Sequence, residues 1–158
     1  MTLQKLQNVL DVMDDMAKLE LALAEMYQAC SEQFPDDKNF WLAIGRQEKL
    51  HAKFIRQLAE QIASHPEEFR FGRSFNSTAV KTILTSVIGY IDQVRKGQFE
   101  RQRALFIARD IENSVLEAKY REIVSTDNIE FRKIIDRIGA DTLAHKNLFA
   151  AKVARSKA

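Results

Sequence analysis

Residues 41–62 read WLAIGRQEKLHAKFIRQLAEQI. The apolar side chains of this segment recur in steps of three and four, which is the spacing of one face of an α-helix. They are Trp41, Ile44, Ile55, Leu58 and Ile62. Two polar residues, Glu48 and His51, fill the middle of the same face. A buried carboxylate and a buried imidazole are costly unless they are paired or coordinated, so this face predicts partners for both.

The same periodicity elsewhere predicts an all-α protein. We predict helices over about residues 3–33, 37–63, 77–96, 99–125 and 128–155. Only five Gly and two Pro interrupt the chain, which leaves few positions that break a helix. The turn at residues 34–37 supplies an aspartate as N-cap for the second helix. Residues 65–75, which include Pro66 and Gly72, are predicted to be irregular.

The lengths of the connections predict how these helices are arranged. Two tight hairpins are joined by a connection of roughly thirty-five residues that contains an extra helix. This order is typical of a ferritin-like four-helix bundle with a long crossover connection. We predict that residues 1–158 form a single domain of this class.

Composition argues against several classes of function. The net charge is +2 with both signs interleaved along the chain, so no nucleic-acid surface is predicted. The single Cys30 excludes an internal disulfide and a four-cysteine metal module, and it favours a reducing compartment. No apolar segment has the length of a signal core or a membrane span. We therefore expect a soluble cytoplasmic protein without membrane or nucleic-acid partners.

A second buried carboxylate is predicted in the first helix. Glu20 lies on its apolar face between Met16 and Leu23. Residue 34, in the predicted turn, is midway in the sequence between Glu20 and Glu48. In an antiparallel hairpin folded at this turn, Glu20 is therefore level with Glu48.

The second hairpin has the same layout. Glu112 and His145 lie on the inward faces of the last two helices, and their midpoint falls beside the predicted turn at Asp127 and Asn128. The two pairs of residues, Glu20 with His51 and Glu112 with His145, are 31 and 33 positions apart. This similarity indicates an internal pseudo-repeat that brings two polar clusters to the centre of the bundle.

One Glu from each of two helices and Glu-x-x-His from each of the other two form the di-iron carboxylate pattern. The chain resembles the rubrerythrin-like branch of the ferritin superfamily in residues 19–27 (LELALAEMY), 48–53 (EKLHAK) and 108–112 (ARDIE). The resemblance implies a non-haem protein with two iron ions, and an oxidoreductase that handles peroxide, dioxygen or ferrous iron. Manganese and zinc are the alternative ions, and one occupied position is the alternative to two.

The resemblance also implies roles for individual residues and for partners. Glu48 and Glu112 would bridge the ions, Glu20 would be a terminal ligand, and His51 and His145 would bind one ion each. One cysteine cannot build the rubredoxin-type iron module of rubrerythrins, so a separate electron donor is expected. A homodimer is expected by analogy with that family.

Thr142 departs from the family pattern, because Glu is expected three residues before His145. Asp141 lies about as close to the same face and is the predicted substitute, with a shorter arm. If Asp141 does not bind, five ligands remain and the second metal position is weakened or lost. Thr142 therefore supports an alternative hypothesis, in which a ferritin-like bundle with a degenerate metal site serves as a structural or partner-binding module. Tyr27 is interpreted as ordinary core packing.

Overall fold

The chain is mostly helical, as the sequence predicts. The computed structural model describes residues 2–72, 77–114 and 123–156. Its α-helices are α1 (Leu3–Gln33), α2 (Lys38–Ser64), α3 (Ser77–Arg95), α4 (Arg101–Ser114) and α5 (Ile129–Ser156). Within these ranges, no helix combines the length and the apolar character that crossing a membrane requires.

The ends of the helices follow from local chemistry. Thr2 caps α1, because its hydroxyl accepts a hydrogen bond from the backbone N–H of Lys5. Pro35 opens a short 3-10 turn, Pro35–Asp37, between α1 and α2. Gly97 has a φ of 67° beyond the end of α3, a left-handed conformation that favours glycine and closes the helix with a Schellman-type turn.

The helices pack through their apolar faces into one core. α1 lies against α2 and α3, α4 lies against α5, and α2 contacts α5. Near the α1–α2 turn, Tyr27, Trp41 and Phe149 pack with ring centroids 5.6–5.7 Å apart, and all three are fully buried. These contacts join α1, α2 and α5 at one end of the core.

A two-stranded ribbon replaces part of the predicted structure. β1 (Phe69–Phe71) pairs antiparallel with β2 (Val124–Thr126), and Arg70 lies opposite Ser125. The predictions of an irregular segment over residues 65–75 and of a helix that continues to residue 125 are wrong at these strands. Strands of three residues are too short to show a period, although their alternating apolar and polar side chains fit a half-buried ribbon. Residues 115–122 of the helix predicted over residues 99–125 lie outside the described residues.

Asp37 precedes α2, but its side chain does not form the predicted cap. The carboxylate instead accepts hydrogen bonds from Arg101, at 2.5 Å, and pairs with Lys152, at 2.7 Å. Burial alone would raise the pKa of Asp37, but the bonds from these two cations outweigh it and lower the pKa. Asp37 therefore ties the α1–α2 turn to the start of α4 and to α5.

Candidate metal centre

Four helices bring five of the predicted site residues together. α1 supplies Glu20, α2 supplies Glu48 and His51, α4 supplies Glu112, and α5 supplies His145; all five are buried. They form two groups that could each hold a metal ion, Glu20 with Glu48 and His51, and Glu48 with Glu112 and His145. Within each group, the candidate ligand atoms lie within 4.8 Å of one another.

Glu48 belongs to both groups because each of its two carboxylate oxygens faces a different histidine. Oε2 lies 3.2 Å from Nδ1 of His51, and Oε1 lies 2.8 Å from Nδ1 of His145. The two imidazole rings are stacked with their centroids 5.7 Å apart. One carboxylate between two inward-pointing nitrogens is an arrangement that can bridge two cations.

The other two carboxylates each lie beside one histidine. Glu20 Oε2 and Glu112 Oε2 are both 3.8 Å from the Nδ1 atom of their own histidine, His51 and His145 respectively. The second oxygen of Glu112 accepts a hydrogen bond from Tyr27. Glu112 belongs to one of the two groups, whereas Glu48 belongs to both, and the bridging role implied for Glu112 by the family resemblance stays a prediction.

Asp141 lies on the outer side of His51 and not in either group. Its Oδ2 atom is 3.2 Å from Nε2 of His51 and 3.0 Å from Nε of Arg137. The predicted role of Asp141 as a ligand in place of the missing glutamate stays a prediction. Its contact with Nε2 orients the His51 ring, as a carboxylate partner commonly does for a histidine.

In one tautomer of each imidazole, the outer nitrogen Nε2 carries the proton. In this tautomer Nε2 of His51 donates to the Asp141 carboxylate, 3.2 Å away, whereas in the other tautomer Nδ1 donates to Glu48 Oε2, also 3.2 Å away. In the first tautomer, Nε2 of His145 likewise donates to the side-chain oxygen of Gln47. In the neutral form of each ring, Nδ1 then presents a lone pair to the buried carboxylates. This is the tautomer in which histidine binds a metal through Nδ1.

The contact between Glu48 and His145 lacks its own donor. Glu48 Oε1 and His145 Nδ1 are 2.8 Å apart, yet neither atom forms a hydrogen bond within the described part of the chain. Two acceptors at this distance repel each other unless a proton or a cation lies between them. A metal ion bound by both atoms removes the conflict, so the residues present fit a metal.

The charges of the cluster also require a compensating cation or proton. Burial alone would raise the pKa of Glu48, but its interactions with Glu20, His145 and His51 outweigh burial and hold the pKa well below its usual range. Glu48 is thus ionised, with two further carboxylates close by. Buried anions of this kind persist only when cations or protons compensate them.

Tyr27 contacts the cluster in addition to packing in the core. Its hydroxyl donates a 2.7 Å hydrogen bond to Glu112 Oε1, and its side chain is fully buried. Burial raises the pKa of Tyr27 well above its usual value, and the negative charges of Glu112 and Glu48 add to this effect. Tyr27 lies two helical turns after Glu20 on the same face of α1, a spacing that could have signalled its proximity to the cluster.

Thr142 is buried, but its hydroxyl donates to the backbone carbonyl of Ile138 at 2.9 Å. Among the described residues, each group contains three Glu or His residues, and Glu48 is shared between the two groups.

No protein-family model, no curated protein and no solved structure matches the chain. The geometry of the two buried groups is thus the main support for a function.

Proposed function

We propose that this chain is a ferritin-like, rubrerythrin-like non-haem di-iron protein. Glu20, Glu48 and His51 would hold one iron ion, and Glu48, Glu112 and His145 would hold the second. The observation that carries the proposal is the placement of Glu48, with one carboxylate oxygen on the Nδ1 atom of each histidine.

The order of the helices supports the ferritin-like part of this proposal. α1 and α2 form one hairpin, α4 and α5 lie against each other, and α2 contacts α5. α3 lies in the connection between these pairs and packs on α1. A bundle with one long crossover places ligands from all four main helices at its centre.

The donor set supports iron over softer metals. Each group offers two carboxylates and one imidazole, and Cys30 belongs to neither group. Sets of carboxylate and imidazole ligands with open positions suit non-haem iron, and they also accept manganese or zinc. Bound iron would supply redox chemistry toward peroxide or dioxygen, or would oxidise further ferrous iron, with electrons from a separate donor in the cytoplasm.

The residues around the cluster would prepare it for this chemistry. Asp141 and Gln47 hold the two imidazole rings through their outer nitrogens. Tyr27 donates a hydrogen bond to Glu112, while its ring packs with Trp41 and Phe149 on that side of the core. With three ligands per group among the described residues, positions would remain for a small oxidant.

Metal content tests the proposal. The parent should bind roughly two iron ions per chain after anaerobic incubation with ferrous iron, and a Glu48→Ala, His51→Ala double variant should lose them. A Glu60→Ala, His65→Ala variant is the matched control, because both residues are exposed. A ferric absorption band that bleaches with reductant and returns with peroxide would support a redox role. A parent that binds no iron, manganese or zinc contradicts the proposal.

Thr142 supports one alternative function. A threonine at position 142, where the family pattern has glutamate, is compatible with a degenerate site in a structural or partner-binding module. This alternative predicts a folded protein that binds no transition metal, and whose stability is unchanged by chelators.

A further inference from the structure

The two histidines of the cluster differ in the charge of their outer partners. Nε2 of His51 faces the carboxylate of Asp141 at 3.2 Å, whereas Nε2 of His145 donates to the neutral amide of Gln47. The inward sides of the two rings are nearly alike, since each faces Glu48 and one further carboxylate. The outer partners of the two histidines therefore make the two groups of candidate ligands unequal.

An anionic acceptor on the outer nitrogen makes a histidine a stronger metal ligand. The carboxylate draws the Nε2 proton toward itself and leaves more electron density on Nδ1. A neutral amide does this less. Arg137 also pairs with Asp141, but the guanidinium side chain is 58% exposed, so water screens much of its charge.

We propose that the two metal positions are unequal and fill in order, with the His51 position first and the His145 position second. This rests on the proposed function, because it requires both groups to bind metal. Asp141 and Gln47 act as positioning residues that set the order. Outer partners of metal-binding histidines change affinity by about 10- to 100-fold, so the two binding steps should differ by at least about tenfold.

Zinc is a suitable probe because it is diamagnetic and binds the same donor types. The metal-free protein, labelled with ¹⁵N in its histidines, would be titrated with Zn²⁺ and followed by the ring nitrogen signals. His51 and His145 are assigned from single variants, and exposed His65 is an internal reference. The first equivalent should shift the Nδ1 signal of His51, and the second should shift that of His145.

Exchanging the two outer partners should reverse this order. Asp141→Asn keeps an acceptor without the charge, and Gln47→Glu introduces the charge beside His145. In the double variant, His145 should respond to the first equivalent. The double variant Asp110→Asn, Gln57→Glu makes the same exchange at exposed positions and should keep the parent order.

Each outcome bears on the proposal. Simultaneous filling in the parent, filling of His145 first, or an unchanged order in the exchanged variant would overturn it, although the di-metal function would stand. A parent that binds no zinc, iron or manganese overturns both. If the double variant does not fold, Asp141→Asn alone should weaken the first step about tenfold or more and leave the second unchanged; equal weakening of both steps contradicts the proposal.

Discussion

Glu48 Oε1 lies 2.8 Å from His145 Nδ1, and its other oxygen lies 3.2 Å from His51 Nδ1. Because one carboxylate serves both histidines, its loss should affect both metal positions. A loss of Glu112 should affect only the position beside His145. The cluster therefore predicts different metal contents for variants of these two glutamates.

Glu48→Gln should reduce the metal content from roughly two ions per chain to less than one, while Glu112→Gln should retain about one. Metal analysis after gel filtration measures both, and circular dichroism checks that the helices persist. Glu60→Gln, at an exposed position of α2, should retain the parent content. Equal losses in the two variants would argue against a bridging Glu48.

Thr142→Glu should supply the carboxylate that the family pattern expects. We expect tighter binding of the second metal ion, together with lower stability of the metal-free protein, because another carboxylate is buried without a partner. Thr142→Val should leave metal binding unchanged and cost about 1 kcal/mol or less, since the carbonyl of Ile138 loses only the threonine hydroxyl. Calorimetric titration and thermal unfolding test these two variants. A Thr142→Glu protein with unchanged affinity would show that this side chain cannot reach the metal.

Tyr27→Phe should remove the hydrogen bond to Glu112 while preserving the packing of the ring. Hydrogen bonds to charged groups contribute about 1.5–3 kcal/mol, so the free energy of unfolding of the metal-free protein should fall by about this amount. Urea denaturation measures the change. Tyr90→Phe is the control, because Tyr90 is only half-buried, and should change stability by less than about 0.5 kcal/mol. A Tyr27→Phe protein as stable as the parent would contradict the contact.

Asp37 should make stability depend on acidic pH. Its pKa is lower in the folded protein than in the unfolded chain, where it is about 3.9, so its contribution is complete above that value. The contribution is lost as pH falls through the folded pKa. Because Arg101 is 43% exposed, we expect Asp37→Asn to cost only about 1 kcal/mol at pH 7. The parent and the variant should converge below about pH 4 in urea denaturation, and a constant difference would contradict this origin.

Much of the cluster could be predicted from the sequence because helical periodicity and turn positions are local signals. The sequence predicts that Glu20 and Glu48 lie at the same height along their hairpin, since the turn lies midway between them. The two residues meet in the same group. The apolar faces likewise placed Glu112 and His145 at the core.

The details that were wrong or missed depend on atoms of distant helices. Periodicity could not show that Asp141 contacts the outer nitrogen of His51, because the two residues are 90 positions apart. Gln47 is on the exposed side of α2 by pattern, yet it reaches His145 on α5. Asp37 has the sequence of a helix cap, but two cations from α4 and α5 bind it instead. These contacts are determined by residues of other helices and not by the local sequence.

The ribbon of β1 and β2 has a consequence for the precision of the candidate metal centre. β1 follows α2 and β2 precedes α5, so their pairing sets how far these two helices are shifted along their lengths. A slip of one residue in the antiparallel ribbon corresponds to about 3.4 Å, which exceeds a metal–nitrogen bond of about 2.0–2.1 Å. The pairing of these two three-residue strands thus determines how Glu48 is aligned with His145.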